Sequence, residues 1–129
     1  MLVQVQVSNR IIYKGENVME IQFRTNETVE LEMASDYWKA LFGVVQFSQI
    51  RGRYWFTNER VIFAGGFSTK IEIEYDDIAS IKKCFIGPII RFMPFGILVT
   101  TKSGEKHYFS ILNRNKAYEL LESKINKNS

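Results

Sequence analysis

The stretch Gly52-Arg-Tyr-Trp-Phe-Thr-Asn-Glu-Arg-Val-Ile-Phe-Ala-Gly-Gly66 decides the reading of this chain. Tyr54 and Phe56 share one face of an extended segment, and Arg53, Trp55 and Thr57 share the other. Thr57-Asn58-Glu59-Arg60 reads as a tight turn, and Val61 and Phe63 resume the two-residue period of a β-strand. Downstream, Ile71, Ile73 and Tyr75 alternate with Lys70, Glu72 and Glu74, which is the signature of a half-buried strand. Asp76-Asp77 marks a turn into a short strand over Ile78 to Lys83. Gly96 to Lys102 and Lys106 to Ile111 form a hairpin across Ser103-Gly104-Glu105.

Upstream, Val29, Leu31 and Met33 alternate with Glu30 and Glu32. Val3, Val5 and Val7 and then Met19, Ile21 and Phe23 alternate as well, so residues 1–24 read as an N-terminal extension of one or two further strands. After Asn113, a good helix N-cap, the period changes to 3.6: Ala117, Tyr118, Leu121 and Ile125 fall on one face. Such a helix, expected over about residues 113–126, needs a surface to cover its stripe, and the open end of a small barrel supplies one. The expected architecture is mostly β: about seven antiparallel strands in a closed barrel, capped by one C-terminal helix within a domain spanning 25–129.

The chain has 129 residues, enough for one domain with a single core. Its 46% hydrophobic and 24% charged residues suit a soluble globule. A net charge of +3 is too small for the dense basic face of a nucleic-acid binder, which is not expected. Cys84 is the sole cysteine, so no internal disulfide forms. With no basic, apolar leader at the N-terminus, the expected location is cytoplasmic, or peripheral at the inner membrane face.

The segments Glu27 to Glu32, Gly52 to Phe63, Tyr75-Asp76-Asp77-Ile78-Ala79-Ser80-Ile81, Gly96 to Val99 and Lys102 to Phe109 follow one another in an order that resembles a GRAM domain. That family is a branch of the pleckstrin-homology-like superfamily, and the resemblance spans about Glu27 to Ile125. It implies a strongly bent, seven-stranded barrel closed by the C-terminal helix. It further implies a non-enzymatic module that binds lipid or protein at membranes. The first 24 residues, and a long apolar segment after the first matched strand, are additions to the plain pattern.

Catalysis is not expected. His107 is the only histidine; it alternates with Phe109 and Ile111, and no nucleophile motif accompanies it. Adjacent Asp76 and Asp77 point apart in extended chain, and no zinc spacing, EF-hand or phosphate-binding glycine loop is present, so no metal or other cofactor is expected. Two apolar segments carry the binding expectation. In the loop read over Ala34 to Arg51, Trp38, Leu41 and Phe42 are the apolar contacts, with Lys39, Arg51 and Arg53 as phosphate partners. The alternative for that segment is an element packed on the barrel. In Cys84 to Gly96, the residues Phe85, Ile89, Ile90, Arg91, Phe92 and Phe95 form a possible association loop, too apolar to be fully solvated. The expected function is a binding module for anionic membrane lipid or a membrane-associated protein. The alternative is a protein-interaction or self-association module, hence a possible homo-oligomer, with no lipid ligand.

Overall fold

The computed structural model describes the backbone of residues 9–14, 17–41, 45–66, 68–86 and 93–127, and the side chains of 21–38, 49–66, 68–86 and 93–126. The N-terminal strands β1 (Asn9–Lys14) and β2 (Asn17–Gln22) pair antiparallel as a two-stranded sheet. The expected alternation at Val3, Val5 and Val7 lies outside the described residues. After a turn with Asn26 in the left-handed region (φ 70°), which asparagine tolerates, come β3 (Val29–Leu41), β4 (Val45–Thr57), β5 (Arg60–Gly65) and β6 (Thr69–Glu74). A 3-10 turn, Tyr75–Asp77, leads to β7 (Ile78–Ile86), β8 (Met93–Thr101), β9 (Lys106–Ser110) and helix α1 (Arg114–Lys127).

Strands β3 to β9 form one antiparallel sheet in the order β6-β5-β4-β3-β9-β8-β7. The expected seven antiparallel strands and single helix are present, but the sheet is not closed. Among the described residues β6 and β7 are its two edges. They are consecutive in the chain, yet the 3-10 turn replaces the hairpin that would have paired them. That corner is tied down on both sides: the Tyr75 hydroxyl donates to the Thr57 carbonyl at 2.7 Å, and the Lys102 N–H donates to the Asp77 carbonyl at 2.8 Å. Helix α1 lies against β7, β8 and the turn.

The loop expected over Ala34 to Arg51 is instead a long hairpin, since β3 and β4 each run 13 residues. The Cys84 to Gly96 segment is likewise shorter than expected, because β7 continues to Ile86 and β8 starts at Met93. The register shifts between Cys84 and Ile86: Pro94 and Phe95 of β8 stand against Phe85 alone, and such a bulge is a place where a sheet tolerates proline.

The main core lies on the inner face. Tyr54, Phe56, Val61, Phe63, Ile73, Phe109 and Leu121 are buried together, with Ile71 at the margin. Tyr54 centres it, with ring centroids 4.8 Å from Phe63 and 5.0 Å from Phe109. Gly52 and Gly65 face each other across β4 and β5; a Cβ on either would run into the other strand's backbone, so only glycine permits this approach. Helix α1 enters the core through Ala117 and Leu121, both with no exposed surface, and Leu121 is the larger of the two. Replacing Leu121 by Ala should destabilise the protein by about 2–5 kcal/mol in urea unfolding, through the cavity left behind.

Strand β5 is buried throughout. Its outward residues Ile62 and Ala64 join Trp55, Ile21 and Phe23 in a second small core, with Phe23 edge-on to Trp55 at 6.4 Å between ring centroids. The end of the N-terminal hairpin therefore covers the outer face of β4 and β5. A third cluster joins Trp38, Ile86 and Tyr108, flanked by Met93, Phe95 and Leu98.

Candidate functional site

The corner Thr57-Asn58-Glu59-Arg60 is the most motif-like part of the chain, and its polar groups are satisfied internally. The Thr57 hydroxyl accepts the N–H groups of Glu59 and Arg60 at 3.0 Å each and donates to the Glu27 carboxylate at 2.7 Å. Arg60 forks onto Glu27 through Nε (2.8 Å) and Nη2 (3.0 Å), reaches Glu72 through Nη1 (2.8 Å) and also donates to the Gln22 carbonyl (3.0 Å). Burial alone would raise the Glu27 pKa, but Arg60, the Arg24 N–H and Thr57 outweigh it and hold the carboxyl below its ordinary value. Arg24 extends the network to Glu59 at 2.9 Å and to Glu74. With its nitrogens committed in this way, Arg60 fastens the N-terminal hairpin to the sheet and is not an open anion site.

His107 is half-buried. Its Nδ1 lies 3.0 Å from the Tyr37 hydroxyl, while its buried Nε2 has no hydrogen-bond partner among the described residues. The nearest carboxylate oxygen, on Glu105, is 3.6 Å away, beyond hydrogen-bond reach. Burial pulls the imidazole pKa below its ordinary value, only partly opposed by Glu105, so the ring is neutral at pH 7. His107 does not line the cleft described next. Among the described residues no group of three acidic, histidine or cysteine side chains could hold a metal ion.

A cleft of about 540 Å³ opens between the β3–β4 hairpin, the start of β8 and the link from β9 to α1. Its polar wall is Asp36, Gln49 and Arg51; its apolar wall is Met93, Phe95 and Leu112. Arg51 and Asp36 are direct cross-strand partners. The Asp36 carboxylate accepts the Gln49 amide at 2.6 Å, and the exposed Arg51 has no ion pair with another described residue. The two segments expected to bind thus meet here: Arg51 comes from the first and Phe95 from the second.

Other expected site residues are placed differently. Trp38 was read as an apolar surface contact; it is only 4% exposed, set opposite Tyr108 across β3 and β9 and packed with Ile86. It belongs to the third cluster and not to a membrane-facing surface. Arg53 is engaged by Glu32 at 2.8 Å. Lys39 and Leu41 lie in β3, but their side chains, like Phe42, Ile89, Ile90, Arg91 and Phe92, are outside the described residues. Phe85 stands 56% exposed near the end of β7. Leu112, 78% exposed, was missed. A signal for it existed, because the alternation that buries Ile111 turns its neighbour outward.

No family model matches the chain, and no curated protein matches it. Among solved structures, the C-terminal domain of an unknown protein from Leishmania infantum is similar, with a TM-score of 0.60 at 22% identity. The match covers 77% of this chain and 84% of that one, and it concerns the fold. No described helix is long and apolar enough to cross a membrane.

Proposed function

We propose that this chain is a non-catalytic, GRAM-like binding module that attaches peripherally to an anionic membrane surface on the cytoplasmic side. The supporting observation is the cleft in which Arg51, without an ion pair among the described residues, stands beside Met93, Phe95 and Leu112. A cation next to apolar side chains at an open rim suits the boundary between headgroups and acyl chains. The resemblance of the sequence to GRAM domains supports the same class. His107, set against Tyr37 and away from the cleft, is a structural side chain in this reading.

Each cation near an anionic surface contributes about 1 kcal/mol, so attachment through a few of them is weak and salt-sensitive. Co-sedimentation with phosphatidylserine-containing vesicles should show binding at low salt that fades as salt rises and is absent on pure phosphatidylcholine. Arg51→Glu reverses one charge and should weaken binding roughly tenfold or more. Arg53 is the wrong position for this test, since it is already engaged by Glu32. Wild-type protein that ignores anionic vesicles at low salt would overturn the lipid reading in favour of a protein partner.

A further inference from the structure

Arg51 does not face the cleft alone. Asp36 is its direct partner across β3 and β4, so the two side chains leave the sheet on one face, with Cβ atoms about 4.5–5.5 Å apart. Both line the cleft, yet they form no ion pair with each other: the Asp36 carboxylate turns to Gln49, whose amide donates to Oδ2 at 2.6 Å. No described residue donates to the second carboxylate oxygen, Oδ1, and no described side chain accepts from the Arg51 guanidinium. The polar wall therefore presents one positive and one negative charge side by side, each with capacity left for a ligand.

A purely anionic group in this cleft gains Arg51 and is opposed by Asp36. With opposite unit charges at similar distances, the net attraction for a lone phosphate is small. A group that carries a phosphate and an ammonium a short link apart meets both charges, and the carboxylate changes from an opponent to a partner. The ammonium has to be one that donates hydrogen bonds, because Asp36 offers it an acceptor oxygen. A trimethylated ammonium donates none and is held instead by a cage of aromatic rings. Among the described lining residues Phe95 is the only ring, too little for such a cage.

We propose that the cleft selects lipid headgroups in which a primary ammonium accompanies the phosphate, as in phosphatidylethanolamine. Arg51 takes the phosphate, Asp36 takes the ammonium, and Met93, Phe95 and Leu112 lie against the glycerol and the upper acyl chain. The proposal rests on the membrane reading above and names the headgroup that the same cleft takes. Vesicles with a fixed fraction of phosphatidylglycerol, which has no ammonium, hold the surface charge constant while the remaining lipid is changed from phosphatidylcholine to phosphatidylethanolamine. Wild type should bind the ethanolamine vesicles about fivefold more tightly, the upper range for one exposed ion pair. Asp36→Asn keeps an acceptor oxygen for Gln49 and should melt like wild type. It should bind the choline vesicles more tightly than wild type does, because no carboxylate opposes the phosphate, and it should gain nothing from ethanolamine. Equal wild-type binding to both vesicles, or a preference for choline, overturns the proposal and leaves the membrane reading standing. An ethanolamine gain that Asp36→Asn retains comes from bilayer packing and not from the cleft, and it also overturns the proposal. Absence of binding to every anionic vesicle, phosphatidylserine included, overturns both. Should Asp36→Asn melt early, Asp36→Ser decides the matter by the same readout.

Discussion

Replacing Arg60 with alanine should cost about 3–5 kcal/mol, the range for removing one partner of a buried ion pair. Arg60 and Glu27 have side chains 6% and 0% exposed, so the carboxylate left behind cannot be rescued by water. The substitution also takes one of two cations from Glu72, which keeps Lys70, and removes a donor from the Gln22 carbonyl. Against a total stability of about 5–15 kcal/mol for a domain of this kind, such a loss is decisive. Urea unfolding of wild type and variant measures it, and a loss under about 1 kcal/mol would falsify the clamp. Acid adds an independent check. The Glu27 pKa is lowered in the folded state, so its contribution is present above the ordinary glutamate pKa of about 4.3 and is lost as pH falls through the lower folded value. Without Arg60, burial of the same carboxyl is opposed only by the Arg24 N–H and Thr57, the carboxyl is held down less, and the gap between variant and wild type should narrow in acid.

Trp55→Ala should cost about 3–5 kcal/mol, the range for deleting a large buried aromatic side chain. The effect should be uneven. Trp55 is 1% exposed and packs outward, against Ile21, Phe23 and Ile62, and not into the main core. Its removal takes away the floor on which the end of the N-terminal hairpin rests. Amide exchange over residues 17–22 should accelerate well beyond that of β8 and β9, whereas Leu121→Ala should raise exchange across the whole sheet. Equal acceleration everywhere after Trp55→Ala would show that the hairpin is part of one cooperative unit.

The membrane prediction is separable from these two. Arg60 and Trp55 act on stability from buried positions, while Arg51 and Leu112 line the cleft and lie outside all three buried clusters. A variant that loses vesicle binding without losing stability therefore speaks for the surface alone.

Several elements were legible because one period dominates locally. Residues 70–75 alternate without a break and form β6 and the entry to the 3-10 turn. Residues 114–127 carry a 3.6-residue stripe and form α1, with Ala117 and Leu121 fully buried as the stripe requires. The hairpin over 29–57 was misread as strand, loop, strand. Its middle has no clean alternation, because Tyr37 faces the main core while Trp38, next to it, faces the third cluster. A strand buried on both faces reads as a plain apolar run, and periodicity cannot distinguish it from a loop with a helix or an interface. β5 has the same double burial and was recognised from Val61 and Phe63, which resume the two-residue period directly after a clear turn.

The site divides along the same line. Arg51 and Phe95 were legible as a cation and an aromatic residue in unusually apolar segments, and Phe85 likewise. Which of them stay at the surface depended on strand pairing. Trp38 was withdrawn by its register with Tyr108, and Arg53 by Glu32, a residue 21 positions away on the neighbouring strand. The Thr57–Arg60 corner looked like a signature and proved to be a clamp, since its partners Glu27, Glu72 and Gln22 are contributed by other elements.

By itself the sequence determined the local conformations: the strands around Gly52 to Gly66, the turn chemistry at Thr57 to Arg60 and at Asn26, and the amphipathic C-terminal helix. These follow from side-chain period, backbone preference and capping, which act over a few residues. Only the tertiary structure decided that the sheet stays open between β6 and β7, that the N-terminal hairpin is held by Trp55 and Arg60, and that Arg51 and Phe95 line one cleft. Those outcomes turn on burial and on ion pairs between residues tens of positions apart, whose free energy exists only once the strands have chosen their neighbours.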